Sequence, residues 1–344
     1  MQERDNLDKK KIAGCESEAA DTTEKRLSVI ITIVSGGDSL RECISALLPQ
    51  LDEEADELIV PFDDKCEDVL ELGEEFPRIR FVKAQEPDLW VSENAASREH
   101  RHYDRRRAVG LGVARGRLIA MTEDHAVPGE DWCCRIFEAH TNPAGAIGGA
   151  IGNLVDRPLN WAQYYCDFGR YGTPLKNGPA EFVSDVNVAY KRPAIFEVRD
   201  LWKVAYRETE VHDEISRRSL GLELNDRMVV NQNRPVMGLG AALKERIEWG
   251  RVFGEIRSGG LPVTSRIAYA AGTALLPFVL AFRVISNIRR QKRPAKHYFT
   301  VVPLAFLLLV FWSFGELTGY VAGDKTAKEL RKRSGNESEG QTAA

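Results

Sequence analysis

The chain has no CxxC pair among the six cysteines in its 344 residues, and their spacings form no regular framework. That excludes a cysteine-built metal finger and argues against a disulfide scaffold; reduced thiols in a cytosolic setting are expected, with Cys133-Cys134 inside a helix core. Strong charge of either sign is missing too. A formal net charge of -4 gives no overall pull toward nucleic acid. Residues 1–26 mix acidic and basic side chains without an apolar core, so no secretory signal is expected there and the segment reads as a disordered leader. A polar tail is expected over 324–344.

Long apolar runs are absent until the last quarter of the chain. Ile267 to Phe282 and Tyr298 to Gly315 then carry no charge. At a rise of about 1.5 Å per residue these runs span ~24 and ~27 Å, against a hydrocarbon core of ~30 Å. The second extends past Glu316 toward Val321 and then reaches across, so 259–323 is expected to hold one or two membrane helices. A buried helix of a soluble protein is the plain alternative. The link Ser286–Lys296 is strongly basic, which favours the cytoplasmic face. A simple hairpin with a cytoplasmic catalytic domain would put that link outside. An interfacial or re-entrant first run, broken by Pro277 and closed by Arg283, removes the conflict. Glu316 either has a polar role or marks the membrane boundary.

Residues 27–258 alternate strand and helix signals, the pattern of an α/β domain with a mostly parallel sheet covered by helices on both faces. Leu27–Val34 is β-branched and nearly all apolar, as a doubly covered strand should be. Ser35-Gly36-Gly37-Asp38 turns the chain into a helix whose Leu40, Ile44, Leu47 and Leu48 form one stripe. Glu57–Phe62 runs into Asp63-Asp64, Ile79–Val82 is a third strand, and a very basic helix covers about Ala95 to Ala114. Leu118–Thr122 is a strand that ends in Glu123-Asp124-His125, with Pro128 closing the segment. Two carboxylates and an imidazole on consecutive residues are costly to bury without a cation. Ligands of open α/β sheets sit outside the carboxyl ends of strands, where both acidic groups fall.

The order of these residues resembles family 2 glycosyltransferases of the GT-A fold over about Leu27 to Arg257. The carriers are the Ser28–Ile31 strand, the Leu40/Cys43/Leu47/Gln50 helix, Glu57–Val60 into Asp63-Asp64, and Arg106–Leu111 with Ala114-Arg115-Gly116. Glu123-Asp124-His125 stands where the family has its Asp-x-Asp motif. Gly148-Gly149, Asp185–Arg192 and Glu248–Phe253 complete the series. The resemblance implies that Asp63 or Asp64 binds the base or ribose of a nucleotide sugar, a UDP-sugar above all, and that backbone near Val34 and Ser35 frames the base. It implies that Arg107 and Asp124 lie at the donor and that Glu123 with His125 holds Mn²⁺ or Mg²⁺. The departures are Thr32 for proline, Ala108 for asparagine, and His125 for the second aspartate, an exchange that favours Mn²⁺.

An inverting transfer needs a base beside the acceptor hydroxyl. The matching segment, Glu208–Arg218, offers Asp213 first, then His212 and Glu210; a solvated helix start is the bland reading of each. The basic patch His100–Arg107 reads as a solvated helix face with one or two side chains turned to phosphates, not as a nucleic-acid site. Asn160–Tyr165 is an acceptor platform or ordinary packing. The expected protein is a membrane-attached glycosyltransferase, its catalytic domain cytoplasmic, with a lipid-linked or saccharide acceptor. A catalytically silent nucleotide-sugar-binding or scaffolding relative is the alternative. A nucleotidyltransferase is disfavoured, because Ser35–Asp38 is too short and acidic for a phosphate-gripping loop.

Overall fold

A computed structural model describes residues 25–85, 95–258 and 261–323. The leader, apart from Lys25 and Arg26 at the start of the first strand, and the polar tail lie outside them. The described residues form nine strands: β1 Lys25–Thr32, β2 Asp56–Phe62, β3 Arg80–Lys83, β4 Gly116–Glu123, β5 Ala126–Pro128, β6 Ala146–Asn153, β7 Gly178–Pro179, β8 Asn187–Lys191 and β9 Leu222–Gln232. The main helices are α1 Gly37–Leu47, α2 Ala95–Val113, α3 Trp132–Ala139, α4 Pro158–Asp167, α5 Glu208–Arg217, α6 Leu239–Ser258, α7 Val263–Gly272, α8 Leu276–Arg290 and α9 Lys296–Ala322.

The chain forms two compact units. The first contains the sheet, in the order β3-β2-β1-β4-β8-β6-β9-β5, with β7 on β9. Strands β3, β2, β1 and β4 are mutually parallel, as the alternating pattern predicts. Beyond them the sheet is mixed, because β8 runs antiparallel to both β4 and β6. Strand β1 is buried from Leu27 onward and β2 along its whole length, which requires cover on both faces. One face carries Ile30, Ile59, Ile119 and Met121 against Ala108 and Leu111 of α2 and Val211 and Ile215 of α5. Helix α1 buries Leu40, Ile44 and Leu47 of the predicted stripe together with Cys43, while Leu48 falls past the helix end and is half-buried. In α3 the pair splits, Cys133 buried and Cys134 half-buried. Gly149 leaves the space that the Asn187 amide fills while donating to the carbonyls of Ala150 and Met228, 2.8 Å each. That pin ties the start of β8 to β6 and β9, just after Asp185.

The second unit gathers α4 with α6 to α9. It takes in α6, which the sequence reading ended the catalytic domain with. The reason is packing: Gly250 and Gly254 of α6 face Gly315 and Gly319 of α9 so closely that a Cβ on any of them would strike the opposite backbone. Helix α9 has 27 residues and is the one described helix long and apolar enough to cross a membrane by length and composition. The earlier apolar run is two helices, α7 and α8, bent by 57° at Thr273–Leu275, just before Pro277. Glu316 accepts from Trp312 Nε1 at 3.1 Å and Tyr320 Oη at 2.8 Å, inside its own helix. Trp161, Tyr164 and Tyr165 of the Asn160–Tyr165 segment pack on one another, and Trp161 on His297.

Candidate functional site

Parallel pairing of β1 with β4 brings Thr32 opposite Glu123, so both strands end at one level. The chain past β1 turns through Val34, Ser35 and Gly36, and their N–H groups donate to one oxygen, Asp124 Oδ2, at 3.0, 2.9 and 2.7 Å. Gly36 has φ 70°, a left-handed conformation that glycine adopts without strain and that aims its N–H at the carboxylate. The nest of donors that was expected to frame a base therefore holds the protein's own aspartate. Asp124 Oδ1, fully buried, has no hydrogen-bond partner. His125 Nε2 lies 2.8 Å from Ser35 Oγ. Burial lowers its pKa below the usual imidazole value, with Asp124 opposing.

Glu123, the last residue of β4, is partly shielded, and its Oε1 accepts from Gln232 Nε2 at 2.9 Å. Burial, aided by the charges of Asp185 and Asp124, pushes its carboxyl up to about 7, with the Gln232 bond and Arg107 opposing. Arg107 pairs with Asp185 at 3.0 Å and more loosely with Asp104 at 3.6 Å. Burial pushes Asp104 to about 7 as well. Asp185 keeps a partly exposed side chain, while its N–H donates to Glu208 Oε1 at 3.2 Å. The result is an acidic cluster at the strand ends, Glu123 and Asp185, with one guanidinium beside it.

The other expected residues fall elsewhere. Asp63 is buried and fully engaged: Arg106 grips both oxygens at 2.8 and 2.9 Å, His102 Nδ1 lies at 2.9 Å, and Lys65 N–H donates at 3.1 Å. Burial alone would raise its pKa, but the bonds from His102 and Arg106 hold it well below the usual carboxylate range. Arg106 also donates to the Ile33 carbonyl at 2.6 Å, tying the end of β2 to the loop after β1. Asp64 is exposed and paired with Lys83 at 2.7 Å. The basic helix thus turns His102 and Arg106 onto Asp63 and Arg107 onto Asp104 and Asp185.

The three base candidates lie along α5. Asp213 is exposed, and Glu210 is exposed and bound to Arg207 at 2.8 Å. His212 is buried, its Nε2 at 2.6 Å from Tyr190 Oη, which is itself 2.6 Å from Tyr206 Oη. Burial lowers its pKa to about 4, so the ring is neutral at pH 7 and shares one hydrogen bond with Tyr190. Sequence reasoning missed Asp185 and Gln232 as neighbours of Glu123, and Asp104 as a partner of Arg107. Asp185 stood in a motif-bearing segment and was reachable; nothing local marks Asp104 or Gln232.

Among the described residues, no three His, Cys, Asp or Glu side chains converge as a metal cage. The cluster still suits a divalent cation. A buried carboxylate oxygen of Asp124 lacks a donor, and Glu123 sits among like charges that a cation would relieve. One or two protein carboxylates suffice where substrate phosphates and water supply the remaining oxygens.

No protein-family model matches the chain, and comparison with curated proteins finds no match. Among solved structures the chain is similar to the mannosyltransferase PcManGT from Pyrobaculum calidifontis in complex with GDP-Man and Mn²⁺. The identity is 14%, covering 95% of this chain and 85% of that one, with a TM-score of 0.44. It is also similar to a mycobacterial protein at 12% identity, covering 70% of this chain and 78% of that one, with a TM-score of 0.44.

Proposed function

We propose that the chain is a membrane-attached glycosyltransferase that moves a sugar from a nucleotide-diphosphate sugar to an acceptor hydroxyl, with inversion. The observation that supports this best is the gathering of Glu123 and Asp185 with Arg107, Asp124 next to Glu123, where the parallel strands β1 and β4 end. Glu123 and Asp124 Oδ1 would hold Mn²⁺ or Mg²⁺, and His125, neutral beneath Ser35, would stand as a further ligand. The cation would supply Lewis-acid stabilisation of the leaving diphosphate. Arg107, already neutralised in part by Asp185, adds positive potential at the same place.

Asp185 is assigned the base. Its carboxylate is reachable, and its backbone is fixed by Glu208, whereas Asp213 and Glu210 face solvent and His212 is locked against Tyr190. The acceptor oxygen bonds to the anomeric carbon as the bond to the diphosphate breaks, and the acceptor proton passes to Asp185. Membrane attachment puts the enzyme where lipid-linked acceptors reside, with the catalytic domain cytoplasmic.

The test is hydrolysis of a panel of UDP-, GDP- and dTDP-sugars with and without Mn²⁺. Glu123→Gln and Asp185→Asn are expected to lower turnover by about 10²-fold or more, and Asp213→Asn and Glu210→Gln by less than about threefold. Unchanged turnover in Glu123→Gln would remove the reading. Metal-dependent binding without turnover in the wild type would favour a silent binding module instead.

A further inference from the structure

Helix α9 is long enough to cross a bilayer, yet its neighbours are wrong for hydrocarbon. From Trp312 to Tyr320 it lies backbone to backbone on α6 through the four glycines. Helix α6 carries two ion pairs, Lys244 with Glu248 at 3.7 Å and Arg251 with Glu255 at 2.8 Å. Lys244 is 77% exposed and Arg251 42%. Side chains of this kind belong in water or among headgroups, not among acyl chains. The stretch of α9 ahead of that glycine seam, Tyr298 to Phe311, is 14 residues, or ~21 Å, against a core of ~30 Å. Even there α4 lies alongside, with Trp161 on His297 and Cys166 Sγ against the Ala305 carbonyl.

What the unit leaves uncovered is apolar. Phe299 and Phe314 of α9 are exposed, as are Ile267 of α7 and Leu275, Phe278 and Phe282 beside the bend into α8. The Phe278 ring packs on Phe306, so this surface passes from α8 to α9 without a break. Next to it stand Arg283, Arg289, Lys292 and Lys296, all exposed. Large apolar side chains flanked by cations match one leaflet of a bilayer that contains anionic phospholipid.

We propose that the chain is held in a single phospholipid leaflet by the exposed side chains of α7, α8 and α9, with the basic link at the headgroups, and that α9 does not cross. This rests on the membrane attachment proposed above and is independent of the transferase reading. It also places the basic link on the same side as both ends of α9, in keeping with the positive-inside rule.

Any crossing by α9 puts residues 292 and 325 on opposite sides. The full chain carrying Lys292→Cys or Lys325→Cys is expressed, and sealed membrane vesicles are labelled with an impermeant maleimide before and after detergent, the wild-type chain serving as the blank for native thiols. Equal accessible fractions at the two positions are expected; complementary fractions would overturn the proposal. Purified chain is then floated with phosphatidylcholine vesicles with and without phosphatidylglycerol. Preference for the anionic vesicles is expected, and equal binding would overturn the headgroup contact. A Phe278→Glu/Phe282→Glu/Phe299→Glu variant, its fold checked by circular dichroism, is expected to partition about tenfold less. Retention equal to wild type would count against the surface. Wild-type chain that stays in solution would remove membrane attachment as a whole, leaving the hydrolysis assay to judge the transferase separately.

Discussion

Asp124 Oδ2 lies 2.7 Å from the backbone nitrogen of Gly36, across 88 residues of chain, and the same oxygen takes the N–H groups of Val34 and Ser35. A carboxylate receiving three backbone donors orders the loop between β1 and α1, the segment any nucleotide at these strand ends must meet. Asp124→Asn keeps an acceptor but loses its charge. Hydrogen bonds to ionised groups contribute about 1.5–3 kcal/mol, so a loss of about 2 kcal/mol is expected in urea unfolding. A change below about 0.5 kcal/mol would show the loop to be held by its own geometry.

Glu123 carries a pH signature. Its carboxyl is raised from 4.5 to about 7 in the folded chain. Between those values the folded state keeps a proton that the unfolded state has released, so this group's contribution falls as pH rises and its penalty is complete above about 7. Glu123→Gln is expected to flatten the decline, with the variant gaining on wild type from pH 5 to pH 8 in unfolding titrations. Identical curves would contradict the shielding of this side chain. Asp104 acts with the same sign, so subtraction of the two curves is the proper readout.

The Asp63–Arg106 fork is structural. Arg106 is 4% exposed and binds both Asp63 oxygens and the Ile33 carbonyl. Arg106→Ala strands a buried carboxylate, which costs about 3–5 kcal/mol. Adding Asp63→Asn is expected to recover part of that loss. Additive losses in the double variant would mean that the two side chains are not coupled.

Packing of α6 on α9 depends on the missing side chains. Gly315→Ala puts a methyl group against the Ile247 carbonyl. Forced overpacking of this kind costs about 1–3 kcal/mol, to be read as a lower melting temperature of the detergent-solubilised chain. The same change at Gly112 or Gly240, which have open space, is expected to be near neutral. Equal effects at all three would argue against the close approach.

Much of the strand framework was legible from composition. The β-branched run that opens the domain, the acidic ends after Phe62 and Thr122, and the long basic helix each appear within a few residues of the expected bounds. The site was legible only where it is local. Glu123, Asp124 and His125 are consecutive, so a strand end suffices to bring them together. Arg107 with Asp185 pairs residues 78 apart, and Glu123 with Gln232 residues 109 apart; such contacts arise from the order of strands in the sheet, which periodicity does not encode. The burial of His212 was not legible, because an imidazole at helical spacing looks the same facing a substrate or facing Tyr190. The position of α6 was signalled by the four-residue spacing of glycines in both partner helices, a pattern that names a seam once both helices are compared.

The interleaving of the two bodies has a consequence for dissection. Helix α4 comes from the middle of the chain yet belongs with the C-terminal helices, through Trp161 on His297 and Asp167 on Arg246. Deleting everything after Pro235 would strip that helix and lay bare Trp161, Tyr164 and Tyr165. Such a fragment should bind a hydrophobic dye and aggregate, so the sheet unit cannot be exchanged as a cassette apart from the C-terminal helices that cover α4.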